Sequence, residues 1–223
     1  MIGFLLLRIC PIVLSLAAIC VIGFPALASV CEQVRVPIDV DVHVLDPNVV
    51  EDYSKSRDEI AAISGSTHVF NRAVMGLTSG MYRRTYNVKI RSAQEAGGYC
   101  SQPVKLDVSI GFKDLTVYID KRYKPGSCQF NGIRNHEYRH VDVNKQTSMA
   151  HAVLLKARLN QLLWNWVPTY TRSRDEGRAQ TIAQIDLLLD ALDADLTAKR
   201  EIGHANIDRP GSIRMTQSQC LDW

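Results

Sequence analysis

Several signatures of common enzyme and binding-protein classes are missing from this chain of 223 residues. It contains no G-x-S-x-G nucleophile elbow, no phosphate-binding glycine loop, no dinucleotide fingerprint and no internal repeat. Its formal charge is only +3, which is too small to indicate a nucleic-acid partner. With 46% hydrophobic and 22% charged residues, the composition excludes collagen-like, low-complexity and wholly disordered chains. These absences leave a globular protein whose chemistry has to be found in a short motif.

Charge is also nearly absent from the first 28 residues. Arg8 is the only charged residue there, and the apolar run that follows it ends in a glycine, a proline and an A-x-A sequence at Ala28. A basic start, an apolar middle and a small-residue end predict a secretory signal peptide over residues 1–28, cleaved after Ala28. The alternative is an uncleaved N-terminal anchor, since about 20 apolar residues can span a bilayer. We therefore expect an exported protein, periplasmic or secreted, with no membrane span after cleavage.

Cleavage would remove two of the six cysteines and leave Cys31, Cys100, Cys128 and Cys220. An even set of cysteines in an exported protein indicates two disulfide bonds, and the spacing lacks the C-x-x-C pairs of cysteine zinc sites. Four cysteines allow three pairings, and the sequence does not choose among them. The pairing that we favour joins Cys31 to Cys220, which would tie the chain ends together, and Cys100 to Cys128.

Strand patterns dominate the first half of the mature chain. Apolar and polar residues alternate from Val34 to Val44, which is the strongest strand signal in the sequence. A short helix is predicted over about 54–63. Three shorter strand candidates follow, at 83–91, 103–111 and 115–119. The first two of them would be joined by a turn at Gly97-Gly98.

Helical spacing replaces this alternation after about Phe130. The proline-free stretch 131–166 carries leucines at helical spacing, and it predicts one long helix that ends before Pro168. A second helix is predicted to begin with a capping box at Ser173 and to end near Gly203, where a glycine can make a left-handed turn.

These patterns predict one α+β domain over residues 29–223. We expect an antiparallel β-rich half, residues 29–128, packed on a pair of long antiparallel helices within residues 129–204. Residues 205–223 would form a C-terminal tail.

One motif carries recognisable chemistry, the sequence HEYRH at residues 136–140. On a helix, His136 and His140 lie on the same face about 6 Å apart along the axis, so both imidazoles can bind one zinc ion. Glu137 can then reach a zinc-activated water and take its proton. The alternative is a solvated helix face on which two histidines happen to lie four residues apart. We favour the zinc site, because the motif lies near the start of a predicted helix in an exported protein.

A catalytic zinc site needs a third protein ligand, and the residues just after the motif do not supply one. The metzincin pattern is excluded, because Val143 and Gln146 occupy the positions at which that pattern has glycine and histidine. His151 lies about 16 Å along the helix from His140, which is too far to share one ion. We expect His151 on the seam between the two long helices instead.

Helix geometry indicates where the third ligand comes from. If the two helices pair antiparallel around Pro168, the segment that faces His140 lies near residue 200. This pairing predicts His204 as the third ligand, with Glu201 and Asp208 as alternatives.

The arrangement resembles a family of exported bacterial proteins that are expected to be zinc-dependent proteases, with a zincin-like fold. The resemblance rests on HEYRHV with the preceding GSC, and more loosely on a shared layout from VYIDKRY to HANIDRPGS. It implies ligand roles for His136 and His140 and a catalytic role for Glu137, and it leaves the third ligand open.

The function that we expect is therefore the hydrolysis of peptide bonds in a peptide or protein substrate. Zinc-activated water would attack, with Glu137 as the general base. The alternative is a non-catalytic envelope protein that uses the zinc site, or only its helix, for structure or for partner binding.

Overall fold

The computed structural model describes residues 31–65 and 75–221, so the predicted signal peptide lies outside the described residues. The described residues contain five strands, which form one sheet, four α-helices and a short 3-10 helix at Glu32–Val34. The strands are β1 (Asp39–Leu45), β2 (Asn48–Asp52), β3 (Gly76–Glu95), β4 (Gly98–Ile119) and β5 (Thr169–Thr171). The helices are α1 (Arg57–Ile63), α2 (Cys128–Trp164), α3 (Arg174–Ile207) and α4 (Pro210–Gln217). The predicted α+β class and the two long helices are confirmed.

Strand β4 lies at the centre of the sheet. Along one edge it pairs antiparallel with β3, from Gly98 opposite Glu95 to Ile119 opposite Gly76. Along the other edge it pairs in turn with β5, β1 and β2, of which β5 is antiparallel while β1 and β2 are parallel. The sheet is therefore mixed, and the prediction of an antiparallel β-rich half is only partly correct. Alternating apolar residues identify a strand and its buried face, but they do not fix the direction of its neighbour.

The hairpin of β3 and β4 contains all three of the shorter predicted strands. The segments predicted separately at 103–111 and 115–119 are continuous in β4. The turn of the hairpin lies at Ala96 and Gly97, whose φ angles of 47° and 80° are left-handed, and it confirms the predicted turn.

The two long helices pack on the face of the sheet that carries alternate residues of β4. In one core cluster Leu106, Val108 and Ile110 of β4 contact α2 and α3. The helix residues of this cluster include Leu155, Leu159, Ile185 and Leu189. In a second cluster Leu115, Val117 and Ile119 of β4 contact Phe130, Ile133 and Val141 of α2. The burial of each such aliphatic side chain contributes roughly 1.5–3 kcal/mol, so the second cluster holds the first turns of α2 firmly on the sheet.

Helices α2 and α3 run antiparallel, as predicted. His140 contacts His204, whereas His151, further along α2, contacts Asp193, which lies earlier in α3. His151 is buried on the seam between the helices, also as predicted. The start of α3 is capped by Ser173, whose hydroxyl oxygen accepts a hydrogen bond from the backbone N–H of Glu176 at 3.2 Å.

The predicted end of α3 at Gly203 is wrong, because the helix continues to Ile207. Gly203 lies against Val143 of α2, where a Cβ atom on residue 203 would be 2.8 Å from the Val143 Cγ1. This glycine therefore permits a close approach of two helices and makes no left-handed turn.

The disulfide bonds join Cys31 to Cys100 and Cys128 to Cys220, with Cα–Cα distances of 5.5 and 5.8 Å. The predicted pairing, Cys31 with Cys220 and Cys100 with Cys128, is therefore wrong. Because β1 runs parallel to β4, the chain before β1 lies beside the start of β4, where Cys100 is located. Because α3 returns antiparallel to α2, the chain after α3 lies beside Cys128 at the start of α2. Both bonds fit an exported protein. No helix in residues 31–65 and 75–221 is long and apolar enough to cross a bilayer.

Candidate metal centre

The first turns of α2 and the last residue of α3 meet at one end of the helical pair. The hydroxyl oxygen of Ser127 caps α2 by accepting from the backbone N–H of Phe130 at 3.2 Å, which fixes the helix start two turns before His136. His136 and His140 follow one helical turn apart. Asp208 is the C-cap residue of α3, and its backbone N–H donates to the carbonyl of His204.

Three ligand atoms of these residues form a small triangle. Nε2 of His136 and Nε2 of His140 are 3.3 Å apart, and each lies 3.1 Å from Oδ1 of Asp208. Ligand atoms at 2.0–2.1 Å from a tetrahedral zinc ion are about 3.3 Å from one another. The described residues thus offer three corners of a tetrahedron of the right size, formed by two imidazoles and one carboxylate. The fourth corner would be left for water or substrate, as in catalytic zinc sites.

The other two candidate ligands lie outside this triangle. Nδ1 of His204 is 2.8 Å from Nδ1 of His140, on the opposite side of that ring from the ligand nitrogen. Glu201 is exposed on α3. The favoured sequence prediction, His204, is thus replaced in the geometric ligand set by its alternative Asp208. The two residues lie about one helical turn apart, and counting residues along two paired helices is no more accurate than that.

Glu137 is buried beside this triangle, with 5% of its surface exposed. The hydroxyl of Thr78 on β3 lies 3.0 Å from its Oε2 and 2.9 Å from its backbone carbonyl oxygen. Burial raises the pKa of the Glu137 carboxyl, against the opposing influence of His140 and His136 and of the Thr78 hydrogen bond. A carboxylate with a raised pKa is better matched to proton transfer near neutral pH.

The close fit of Glu137 against the sheet depends on Gly76. A Cβ atom on residue 76 would lie 2.8 Å from Oε1 of Glu137 and 2.7 Å from Cγ2 of Ile133. Only glycine, which has no Cβ, leaves this space for the carboxylate.

The pKa values of Asp208 and His204 are both shifted downward by their surroundings. Burial would raise the pKa of Asp208, but its contacts with His136 and His140 outweigh that effect and hold the pKa below its usual range. Burial lowers the pKa of His204 to about 4, and the neighbouring His140 and Arg200 add to this effect. At neutral pH the site therefore combines an ionised carboxylate with a neutral His204.

Arg139, a neighbour of the triangle, favours a tautomer of His136 that cannot bind a metal through Nε2. Nη2 of Arg139 is 2.9 Å from Nδ1 of His136. A guanidinium group only donates hydrogen bonds, so this Nδ1 accepts, and the proton of a neutral His136 then sits on Nε2, which faces Asp208. Zinc binding through Nε2 needs the other tautomer, so Arg139 has to release the ring before a metal is bound.

Sequence reasoning missed three residues of this site: Thr78, Arg139 and Asn144. Asn144 could have been found, because it lies four residues after His140 and so on the same helix face. No sequence pattern marks Thr78 as part of the site, since only the fold brings β3 next to α2.

No protein-family model matches the chain, and no match was found to a curated protein or to a solved structure. The geometry of the site and the chemistry of its side chains therefore carry the functional assignment.

Proposed function

We propose that this protein is an exported, zincin-like zinc peptidase. His136, His140 and Asp208 hold the zinc ion in this proposal, and Glu137 acts as the general base. The observation that carries it is the triangle of ligand atoms, with edges of 3.1, 3.1 and 3.3 Å, next to a buried glutamate on the same turn of α2.

Each side chain of the site has a distinct role in the proposed hydrolysis of a peptide bond. Zinc, when bound, supplies Lewis acidity toward a water and a substrate carbonyl. The Glu137 carboxylate takes a proton from the attacking water and returns it to the nitrogen of the leaving amine. Thr78 holds that carboxylate by its hydroxyl, and Asp208 contributes the single negative charge of the ligand set.

The second candidate is a non-catalytic zinc-binding protein of the cell envelope. One observation favours it: the Glu137 carboxylate is buried and within hydrogen-bond distance of Thr78, as a structural carboxylate would be. The two functions differ in what they require of Glu137.

The decisive variant is Glu137→Gln, made in the mature chain and compared with Glu201→Gln, which changes an exposed glutamate of α3. We expect Glu137→Gln to keep its zinc and its fold but to cleave a mixed-sequence peptide library about 10²–10⁴-fold more slowly. Zinc is measured by atomic spectroscopy and cleavage by mass spectrometry. No cleavage by the wild type would leave only the non-catalytic function, and equal cleavage by the wild type and Glu137→Gln would overturn Glu137 as the general base. A wild-type chain that takes up no zinc would overturn both.

The ligand set is tested separately with Asp208→Ala and Glu201→Ala. We expect Asp208→Ala to lose most of its zinc affinity, because the only charged ligand is removed, and Glu201→Ala to bind zinc like the wild type. The measurement is competition with a chromophoric chelator. If Glu201→Ala lost zinc affinity and Asp208→Ala kept it, Glu201 would replace Asp208 as the third ligand.

A further inference from the structure

A second imidazole lies against the zinc-ligand candidate His140, on the side away from the ligand triangle. Nδ1 of His204 is 2.8 Å from Nδ1 of His140, and Nε2 of His204 is 3.0 Å from Oδ1 of Asn144. Asn144 has 5% of its surface exposed and His140 has 8%. The three side chains thus form a hydrogen-bonded row that leads from the interior to the triangle.

The donor and acceptor in each hydrogen bond of this row follow from Asn144, the residue furthest from the triangle. Oδ1 of Asn144 can only accept, so Nε2 of His204 carries the proton and donates it. The other nitrogen of this neutral ring then has a free lone pair, and it accepts from Nδ1–H of His140. Nε2 of His140 is left without a proton, 3.1 Å from the carboxylate oxygen of Asp208. Two lone pairs at this distance repel each other, so the contact needs a positive group between them, which is the Nε2 proton of His136 in the zinc-free chain and would be the cation when a metal is bound.

Two features of the helices make the row possible. His140 and Asn144 are four residues apart, so they lie on the same face of α2. Gly203, the neighbour of His204, lies against Val143, so that α3 comes close enough to α2 for the two rings to meet.

We propose that His204 and Asn144 are positioning residues that hold His140 in its Nδ1–H tautomer, with the Nε2 lone pair aimed into the ligand triangle. His204, which the sequence predicts as a ligand, thus orients the ligand His140 and does not bind the metal itself. The proposal rests on the zinc site proposed above. Partners of this kind, which hydrogen-bond the outer nitrogen of a metal-binding histidine, typically change metal affinity 10–100-fold.

The test uses three variants of the mature chain. His204→Phe keeps an aromatic ring but removes both nitrogens, and His204→Gln keeps an amide that can accept from His140 and donate to Asn144. His151→Phe is the matched control, because His151 is buried on the same helix seam but faces Asp193, with Nε2 3.5 Å from its Oδ1, and no candidate ligand.

We expect His204→Phe to bind zinc 10–100-fold more weakly than the wild type in chelator competition, His204→Gln to recover part of that loss, and His151→Phe to match the wild type. Thermal unfolding of the zinc-free variants shows whether each one is folded. Zinc affinity unchanged in His204→Phe overturns the proposal. An equal loss in His151→Phe also overturns it, since the effect would then come from packing.

A second measurement needs neither zinc nor a variant. Long-range ¹H–¹⁵N spectra of the zinc-free wild type report which nitrogen of His140 carries the proton. We expect Nδ1, and a proton on Nε2 would overturn the proposal even if His204→Phe does not fold. If the proton is on Nδ1 but the wild type binds no zinc, the proposed function fails while the tautomer assignment stands.

Discussion

At the scale of single residues, His136 is held by two partners that compete with a metal ion. Arg139 donates to its Nδ1 at 2.9 Å, and its Nε2 lies 3.1 Å from Asp208. Together these contacts favour the tautomer that carries its proton where zinc would bind. The zinc-free site is therefore stabilised in a form from which the proposed zinc-bound site would differ in the proton on Nε2 of His136 and in the position of Arg139.

This competition predicts that removing the guanidinium strengthens zinc binding. We expect Arg139→Met, which keeps most of the side-chain length, to bind zinc about tenfold more tightly, because a hydrogen bond to a charged group contributes roughly 1.5–3 kcal/mol. Chelator competition measures the affinity, with Arg178→Met, an exposed arginine of α3, as the control. Weaker binding by Arg139→Met would show that Arg139 orients the His136 ring for the metal.

The motif identified the two histidines and the glutamate of the site, since their spacing on one helix is a local property. The third corner of the triangle was predicted only to within a turn, because His204 and Asp208 differ by 1.1 turns of an ideal helix, or about 6 Å. Thr78 lies 59 positions before Glu137 in the chain. Contacts of that kind depend on the register of β3 against β4, which local sequence patterns do not contain.

At the scale of elements, the start of a capped helix was easier to predict than the partner of a strand. Ser173 caps α3 through a bond to a residue three positions away, and such local bonds are visible in sequence. By contrast, β5 has only three residues, which is too short for a recognisable pattern. Strand β1 pairs with residues that lie 66 positions later in the chain, so neither the partner of β1 nor the direction of the pairing could be derived. Of the two disulfide bonds, Cys31–Cys100 depends on the pairing of β1 with β4 and could not be derived either, whereas Cys128–Cys220 could have been. The antiparallel helix pair that was predicted would already have placed the chain after α3 beside Cys128.

The contact between β2 and α2 should contribute to stability in a pH-dependent way. Glu51 of β2 accepts hydrogen bonds from Nε of Arg134 at 2.9 Å and from the hydroxyl of Tyr138 at 2.6 Å, both on α2, and it also contacts Tyr53. The Arg134 guanidinium is the largest influence on Glu51 and, against the effect of burial, it lowers the pKa of this carboxyl to about 2. The ionised form of Glu51 thus ties β2 to α2, the helix that carries His136 and His140.

A carboxylate whose pKa is lower in the folded than in the unfolded chain stabilises the fold at higher pH. Its contribution is complete above the unfolded pKa of about 4.3 and disappears as the pH falls toward 2. We expect the wild type to be more stable than Glu51→Gln at pH 7, and this difference to shrink between pH 4 and pH 2. Urea unfolding of zinc-free chains measures it, with Glu201→Gln as the control. A difference that is the same at both pH values would contradict the prediction.

At the scale of the whole molecule, the two disulfide bonds differ in what they secure. Cys31–Cys100 joins the N-terminal segment to the sheet, whereas Cys128–Cys220 joins the start of α2 to the segment that follows Asp208 and α4. The second bond therefore closes the end of the helical pair at which the ligand triangle lies.

We expect the two double variants, Cys31→Ser/Cys100→Ser and Cys128→Ser/Cys220→Ser, each to lose about 2–5 kcal/mol of stability. Only the second should also lose zinc affinity, because the end of α3 that carries Asp208 is then less constrained. Thermal unfolding and chelator competition measure the two effects. Equal zinc affinities in the two variants would mean that packing alone holds Asp208 in place.

The central position of β4 has a consequence for biosynthesis. Within the described residues each of the other four strands pairs with β4 alone, so β1 and β2 have no partner until residues 98–119 have been synthesised. Pairings between segments so distant in the chain form slowly. The early part of the polypeptide thus emerges from the ribosome without a sheet to join. A chain that stays unfolded until late is the form in which a general secretory channel threads its substrates, so this strand order fits the export that we propose.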